Sequence, residues 1–137
     1  MRFRLVTIFL LCAIGTHLIA EEALVLIGHN TLPKTDISTI QRLYSGRVVS
    51  LGQHPATPIN LLPGDPLRQQ FLSLYLAQSE EQYTGYWLVR RYVGKGTPPL
   101  EAATINEIIR IVESTPGAVG YVPLSRVPNG ANIIFRR

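Results

Sequence analysis

Two cations and one capped turn are the parts of this chain best suited to holding a ligand. In Ile59 to Leu76, INLLPGDPLRQQFLSLYL, a short apolar run meets an amphipathic helix across the turn Pro63-Gly64-Asp65-Pro66. Asp65 suits an N-cap, and Pro66 suits the first helical position, where its missing N–H has no intrahelical partner to lose. A helix N-terminus presents free N–H groups and the positive end of the helix dipole, so a turn of this kind after a strand is where an anion would be received. Arg68 lies one turn inside the helix and is the nearest cation. Lys95 and Thr97, in Gly94-Lys95-Gly96-Thr97, add a second positive charge and a hydroxyl. The glycine pattern there is only a weak phosphate-loop signal, because Pro98 and Pro99 follow at once and bar a helix whose dipole would hold phosphate. The candidate ligand-binding residues are therefore Gly64, Asp65, Leu67, Arg68, Lys95 and Thr97, and their convergence is the point a structure must settle.

Other chemistries lack their residues. The three histidines are His17, His29 and His54, none with a cysteine partner or an HExxH pattern, so no metal site is expected. There is no GxSxG elbow and no Walker sequence, and no nucleophile, base and orienting group can be named together. The expectation is a protein that is not an enzyme and carries no cofactor. Thirteen Lys and Arg stand against nine Asp and Glu. Setting aside Arg2 and Arg4 in the N-terminal segment leaves eleven against nine, and no basic cluster with interleaved aromatics argues for nucleic acid.

The elements that must position the turn can be read in order. Met1 to Ala20 has two arginines ahead of an apolar run of about a dozen residues, which reads as an export signal cleaved after Ala20; an uncleaved N-terminal anchor is the alternative. Cleaved, the chain from residue 21 to 137 contains no cysteine, so one core without disulfides must hold it. Ala23 to Gly28 is a strand, and Asp36 caps a helix carrying Ile37, Ile40 and Tyr44 on one face, with Gly46 ending it. Residues 48 to 58 read as a loop. Ile59, Leu61 and Leu62 form a strand covered on both faces, and Leu67, Phe71 and Leu74 mark the buried face of the following helix, leaving Arg68, Gln69 and Gln70 elsewhere. Ser79-Glu80-Glu81-Gln82 is a capping box that opens a helix with Tyr83, Tyr86, Trp87 and Arg90 on adjacent turns, its aromatics read as core. Gly85 inside that helix costs about 1 kcal/mol against alanine and suggests close packing. Thr104-Ile105-Asn106-Glu107 opens a further helix with Ile105, Ile108, Ile109 and Val112 on one face, broken at Thr115-Pro116-Gly117. Ala118 to Val122 and Asn132 to Phe135 are two last strands. Strands alternating with helices imply an α/β sheet with helices packed on it.

This order of elements, with the phrases Ile40 to Arg47 (IQRLYSGR), Gly94 to Pro99 (GKGTPP) and Thr115 to Val122 (TPGAVGYV), resembles the PstS-like phosphate-binding proteins of periplasmic ABC transporters over nearly all of the chain after the signal. The resemblance implies a single lobe of a class II periplasmic-binding-protein fold, a mixed sheet with helices packed on it, and a periplasmic location. It implies phosphate or another oxyanion as ligand. Full members of the family close two lobes over the anion, and this chain has length for one. Their anion loop resembles R-S-D-G-S-G-T. Here Gly64 matches its first glycine, Asp65 stands where a serine would donate, and Pro66 and Leu67 replace the glycine and threonine. A carboxylate at the N-cap already occupies the positive helix end, and Pro66 removes a donor. The second expectation is therefore an interaction module that has lost anion binding and uses the old cleft face, including Tyr83, Tyr86 or Trp87, to hold another periplasmic protein or a second copy. Contact with a membrane is expected only through the signal segment if it stays uncleaved.

Overall fold

The computed structural model describes residues 22 to 137, and the segment read from sequence as an export signal lies outside them. Among the described residues seven strands and four α-helices follow one another as β1 (Leu24–Gly28), α1 (Ile37–Tyr44), β2 (Ser50–Leu51), β3 (His54–Pro55), β4 (Thr57–Leu61), α2 (Pro66–Phe71), α3 (Glu80–Tyr92), β5 (Leu100–Ala102), α4 (Ile105–Ser114), β6 (Ala118–Pro123) and β7 (Asn132–Phe135). Five strands form the main sheet in the order β5-β4-β6-β1-β7. β4 runs parallel to both β5 and β6, whereas β1 is antiparallel to β6 and to β7. The sheet is mixed, as expected of this α/β fold. Among the described residues no helix is long and apolar enough to cross a membrane.

The caps read from sequence are in place. Asp36 accepts from Thr39 N at 2.7 Å, Asp65 Oδ1 from Leu67 N at 2.8 Å, and the Ser79 to Gln82 box closes in both directions. The α4 box closes in one only. Thr104 accepts from Glu107 N, but the Glu107 carboxylate reaches back to Ala103 N rather than to the N-cap N–H.

Three differences matter for the site. Residues 48 to 58 are not a plain loop, because β2 and β3 form a small hairpin around Gly52-Gln53 and β4 already begins at Thr57. The strand β5, hidden behind Pro98-Pro99, pairs with β4 at the sheet edge. Most consequentially, α2 continues into a π-helical turn at Leu72–Leu76. The buried set across α2 and this turn is Arg68, Phe71, Leu72 and Tyr75, whose spacings of three and four make one helical face, while Leu74 emerges at the surface. Arg68 thus points into the protein instead of away from it. Leu62, expected within the strand, lies exposed just past it.

Phe71 and Tyr75, on this buried face, reach the centre of the molecule. Phe71 stacks on Tyr121 at 4.0 Å between centroids and tilts against Tyr44 at 4.7 Å. Buried tyrosines need a partner for their hydroxyl, and here each donates inward: Tyr44 to Ile59 O, Tyr75 to Leu24 O, Tyr83 to Tyr44 O, and Tyr121 to the Asn60 side chain. The aromatic core is thereby pinned to the backbones of β1, β4 and α1.

Candidate functional site

The turn Pro63 to Pro66 sits directly after the C-terminal end of β4, where an α/β sheet offers its binding crevice. Gly64 takes φ +88° and meets only open space, which is the left-handed conformation the turn needs and the reason glycine stands there. The Asp65 carboxylate is committed to the Leu67 N–H. It fills the helix terminus that an anion would otherwise use.

Arg68 borders a concavity, and it is not free. Its Nη1 donates to Leu61 O at 2.8 Å and its Nε to Glu80 Oε2 at 3.0 Å, with Glu80 Oε1 equally close, while Glu101 Oε1 stands 3.7 Å from Nη1. The guanidinium also lies 5.6 Å from the centre of the Tyr83 ring. Two carboxylates thus neutralise one buried cation, and the arrangement ties the start of α2 to α3 and the edge strand β5.

Around it lies a cavity of about 180 Å³ bordered by Asn60, Arg68, Tyr83, Trp87, Arg91 and Glu101, among others. Asn60 is 1% exposed; its Oδ1 accepts from Tyr121, and its Nδ2 has no hydrogen-bond partner, nor has Trp87 Nε1. Burial pushes the Tyr83 phenol up to about 12, the nearby Trp87, Arg68 and Asn60 opposing that rise, so at neutral pH the cavity wall offers a hydroxyl and no additional charge. Arg91 is exposed and, among the described residues, makes no ion pair. The charges bordering or touching the space therefore cancel: Arg68 and Arg91 against Glu80 and Glu101.

Of the six candidate residues, the structure brings only Arg68 to this cavity. Leu67 is half-buried against the core, and Gly64 and Asp65 do not border it. Lys95 is exposed on the glycine loop and does not border it either, and Thr97 borders a neighbouring cavity of about 430 Å³ with Val49, Pro58 and Leu100. Sequence reasoning missed Asn60, Glu80, Arg91 and Glu101. Asn60 did carry a signal, as a lone amide inside the apolar run INLL, whereas Glu80 was legible only as part of a cap and Glu101 lay in a strand that was itself missed. Tyr83 and Trp87 are core, as read; His29 bonds only locally to Thr31, and no metal-ligand cluster occurs among the described residues.

No protein-family model and no curated protein matches this chain. Solved structures do resemble it in fold. A phosphate ABC transporter substrate-binding protein with bound phosphate from Clostridium perfringens aligns with TM-score 0.64 at 17% identity, over 82% of this chain and 44% of that one. An ABC-type phosphate transport receptor from Vibrio cholerae gives TM-score 0.64 at 12% identity, over 82% and 45%. PstS from Borrelia burgdorferi gives 0.63 at 16%, over 82% and 46%. The chain spans less than half the length of these proteins, and at such identities the likeness is one of fold.

Proposed function

We propose that this protein is a non-enzymatic, exported lobe of periplasmic-binding-protein type that acts as an interaction module in the periplasm and does not grip free phosphate tightly. The observation that carries this reading is the capture of Arg68 by Leu61 O, Glu80 and Glu101. An oxyanion entering there would have to displace carboxylates already placed at hydrogen-bond and ion-pair distance, and would face Asp65 at the adjoining helix end. A lobe that keeps the fold but spends its cation internally is suited to presenting a surface.

A second reading, a receptor for phosphate or another oxyanion, draws support from the solved relatives named above, one of which holds phosphate. The residues it would use are Gly64, Asp65, Leu67, Arg68, Lys95 and Thr97, with Arg91 a further cation beside the cavity; neither Lys95 nor Arg91 makes an ion pair among the described residues. Titration calorimetry with phosphate separates the two. The interaction reading expects no heat of binding at millimolar phosphate, and saturable micromolar binding would replace it with the receptor reading.

A further inference from the structure

The outward side of α3 has a second apolar stripe that nothing in the fold uses. Tyr83 and Trp87 are buried and Tyr86 is partly so, which accounts for one side of the helix. On the other side Leu88 is 71% exposed, Val89 64%, Tyr92 92% and Val93 55%. Their positions, together with Gly85, follow spacings of three and four, so they form one continuous face along the helix. Single exposed apolar residues are ordinary, but four adjoining ones along one helix mark a contact surface.

Gly85 supplies the independent clue. Its place in an exposed helix interior is destabilising, and a Cβ there would meet nothing within 4 Å. The close packing expected of it is therefore absent within the chain, and what the glycine leaves is a socket facing outward. The same stripe is charged at its ends and in opposite senses. Glu81 lies one turn before Gly85, whereas Arg91 and Lys95 lie at and just beyond the helix end, and the stretch from Gln82 to Leu100 contains no carboxylate. None of Glu81, Arg91 and Lys95 is ion-paired among the described residues.

A helix with a socket at one end, a bulky ring seven residues on, and opposite charges at its two termini complements itself when a second copy is laid against it antiparallel. We infer that α3 is the contact by which two copies of this chain associate about a two-fold axis. With Leu88 of each copy beside Val89 of the other at the centre, Tyr92 of each falls on Gly85 of the other. The same register brings Glu81 to the turn carrying the other copy's Lys95. Such a contact is isologous, each residue pairing with its counterpart twice, as a two-fold interface requires. A single helix pair lies at the small end of interfaces, so the association is concentration-dependent rather than obligate. The inference rests on the interaction reading above and names its partner.

Sedimentation equilibrium of the purified protein tests it. A monomer–dimer equilibrium is expected, weakened at least tenfold by Tyr92→Glu and by Leu88→Glu, both of which leave the circular-dichroism melt of the exposed helix in place. Glu81→Lys alone weakens it, and Glu81→Lys with Lys95→Glu restores it, a rescue that only an antiparallel arrangement gives. A monomer at every concentration, including one that instead sediments with anionic vesicles, overturns the inference, as does a dimer indifferent to Tyr92→Glu and Leu88→Glu or not restored by the double exchange. The phosphate titration is separate: no phosphate binding by a monomer removes this inference alone, while phosphate binding by a dimer removes the interaction reading alone.

Discussion

At the scale of single residues, the fate of Arg68 decides most of what can be said about ligand binding. A buried guanidinium is tolerable only when its hydrogen bonds and charge are met, and here Leu61 O and Glu80 meet them while Glu101, more open to water, adds less. Removing one partner of a buried pair leaves the other uncompensated. Glu80→Ala is accordingly expected to cost about 3 kcal/mol in denaturant unfolding, and Glu101→Gln well under about 1 kcal/mol because its side chain is 42% exposed and its contact with Arg68 longer. The pair also offers a direct probe of the proposed absence of anion binding. If Arg68 is withheld from phosphate by its carboxylates, then Glu80→Gln with Glu101→Gln should gain measurable phosphate affinity over the parent protein by calorimetry, and Arg68→Met in that background should abolish the gain. No gain in the double variant would mean that Asp65 and the turn geometry, rather than Arg68's partners, close the site.

The elements show why some of this was legible and some was not. Caps and breakers act over three or four residues, and they were read correctly at Asp36, Asp65, Ser79, Gly46 and Gly117. The orientation of Arg68 was not, because Leu67, Phe71 and Leu74 offer an equally regular apolar face in sequence, and the face actually buried carries Arg68 beside Phe71, Leu72 and Tyr75. β2, β3 and β5 are two or three residues long and exist only through pairing with distant or adjacent strands, which is beyond local pattern. The docking of α3 on α1 is of the same long-range kind. Tyr86 donates to Ser45 O at 2.6 Å and Arg90 to Gly46 O, so α3 supplies donors where the carbonyls of α1 run out. Gly46 lies beneath Trp87 at φ +71°, and a Cβ there would come within 2.5 Å of the indole. Gly46→Ala therefore combines a left-handed backbone with crowding and is expected to lower stability by about 3 kcal/mol in thermal or denaturant unfolding. Gly85→Ala, on the same helix but in open space, is expected to raise it by about 1 kcal/mol when measured dilute enough to keep copies apart. Equal effects at the two glycines would refute the account of how α3 is seated.

For the molecule as a whole, stability rests on an interior whose polar atoms are mostly tyrosine hydroxyls facing backbone carbonyls. Strand alternation and the overall α/β arrangement were readable because they are repeated over the whole chain, but that its aromatics would be joined to β1, β4 and α1 by their hydroxyls was not, since nothing in a tyrosine's neighbours in sequence says what lies above its ring. The network has a consequence for pH. Burial raises the phenols of Tyr44, Tyr83 and Tyr121 above their ordinary value of 10.0, Tyr83 to about 12. Between the unfolded and folded values the native protein holds more protons than the unfolded chain, so the stability these groups contribute is fully present below pH 10.0 and falls as pH rises through the folded values. Neutral and mildly alkaline solutions should therefore leave the fold unaffected, with denaturant midpoints declining from about pH 10 upward and cooperative loss of the native circular dichroism near and above pH 12. Tyrosinate absorbance followed in parallel should rise for the buried Tyr44, Tyr83 and Tyr121 only together with unfolding. Should these buried tyrosines instead ionise near pH 10 while the circular dichroism persists, the hydroxyl network is not what holds the aromatic core in place.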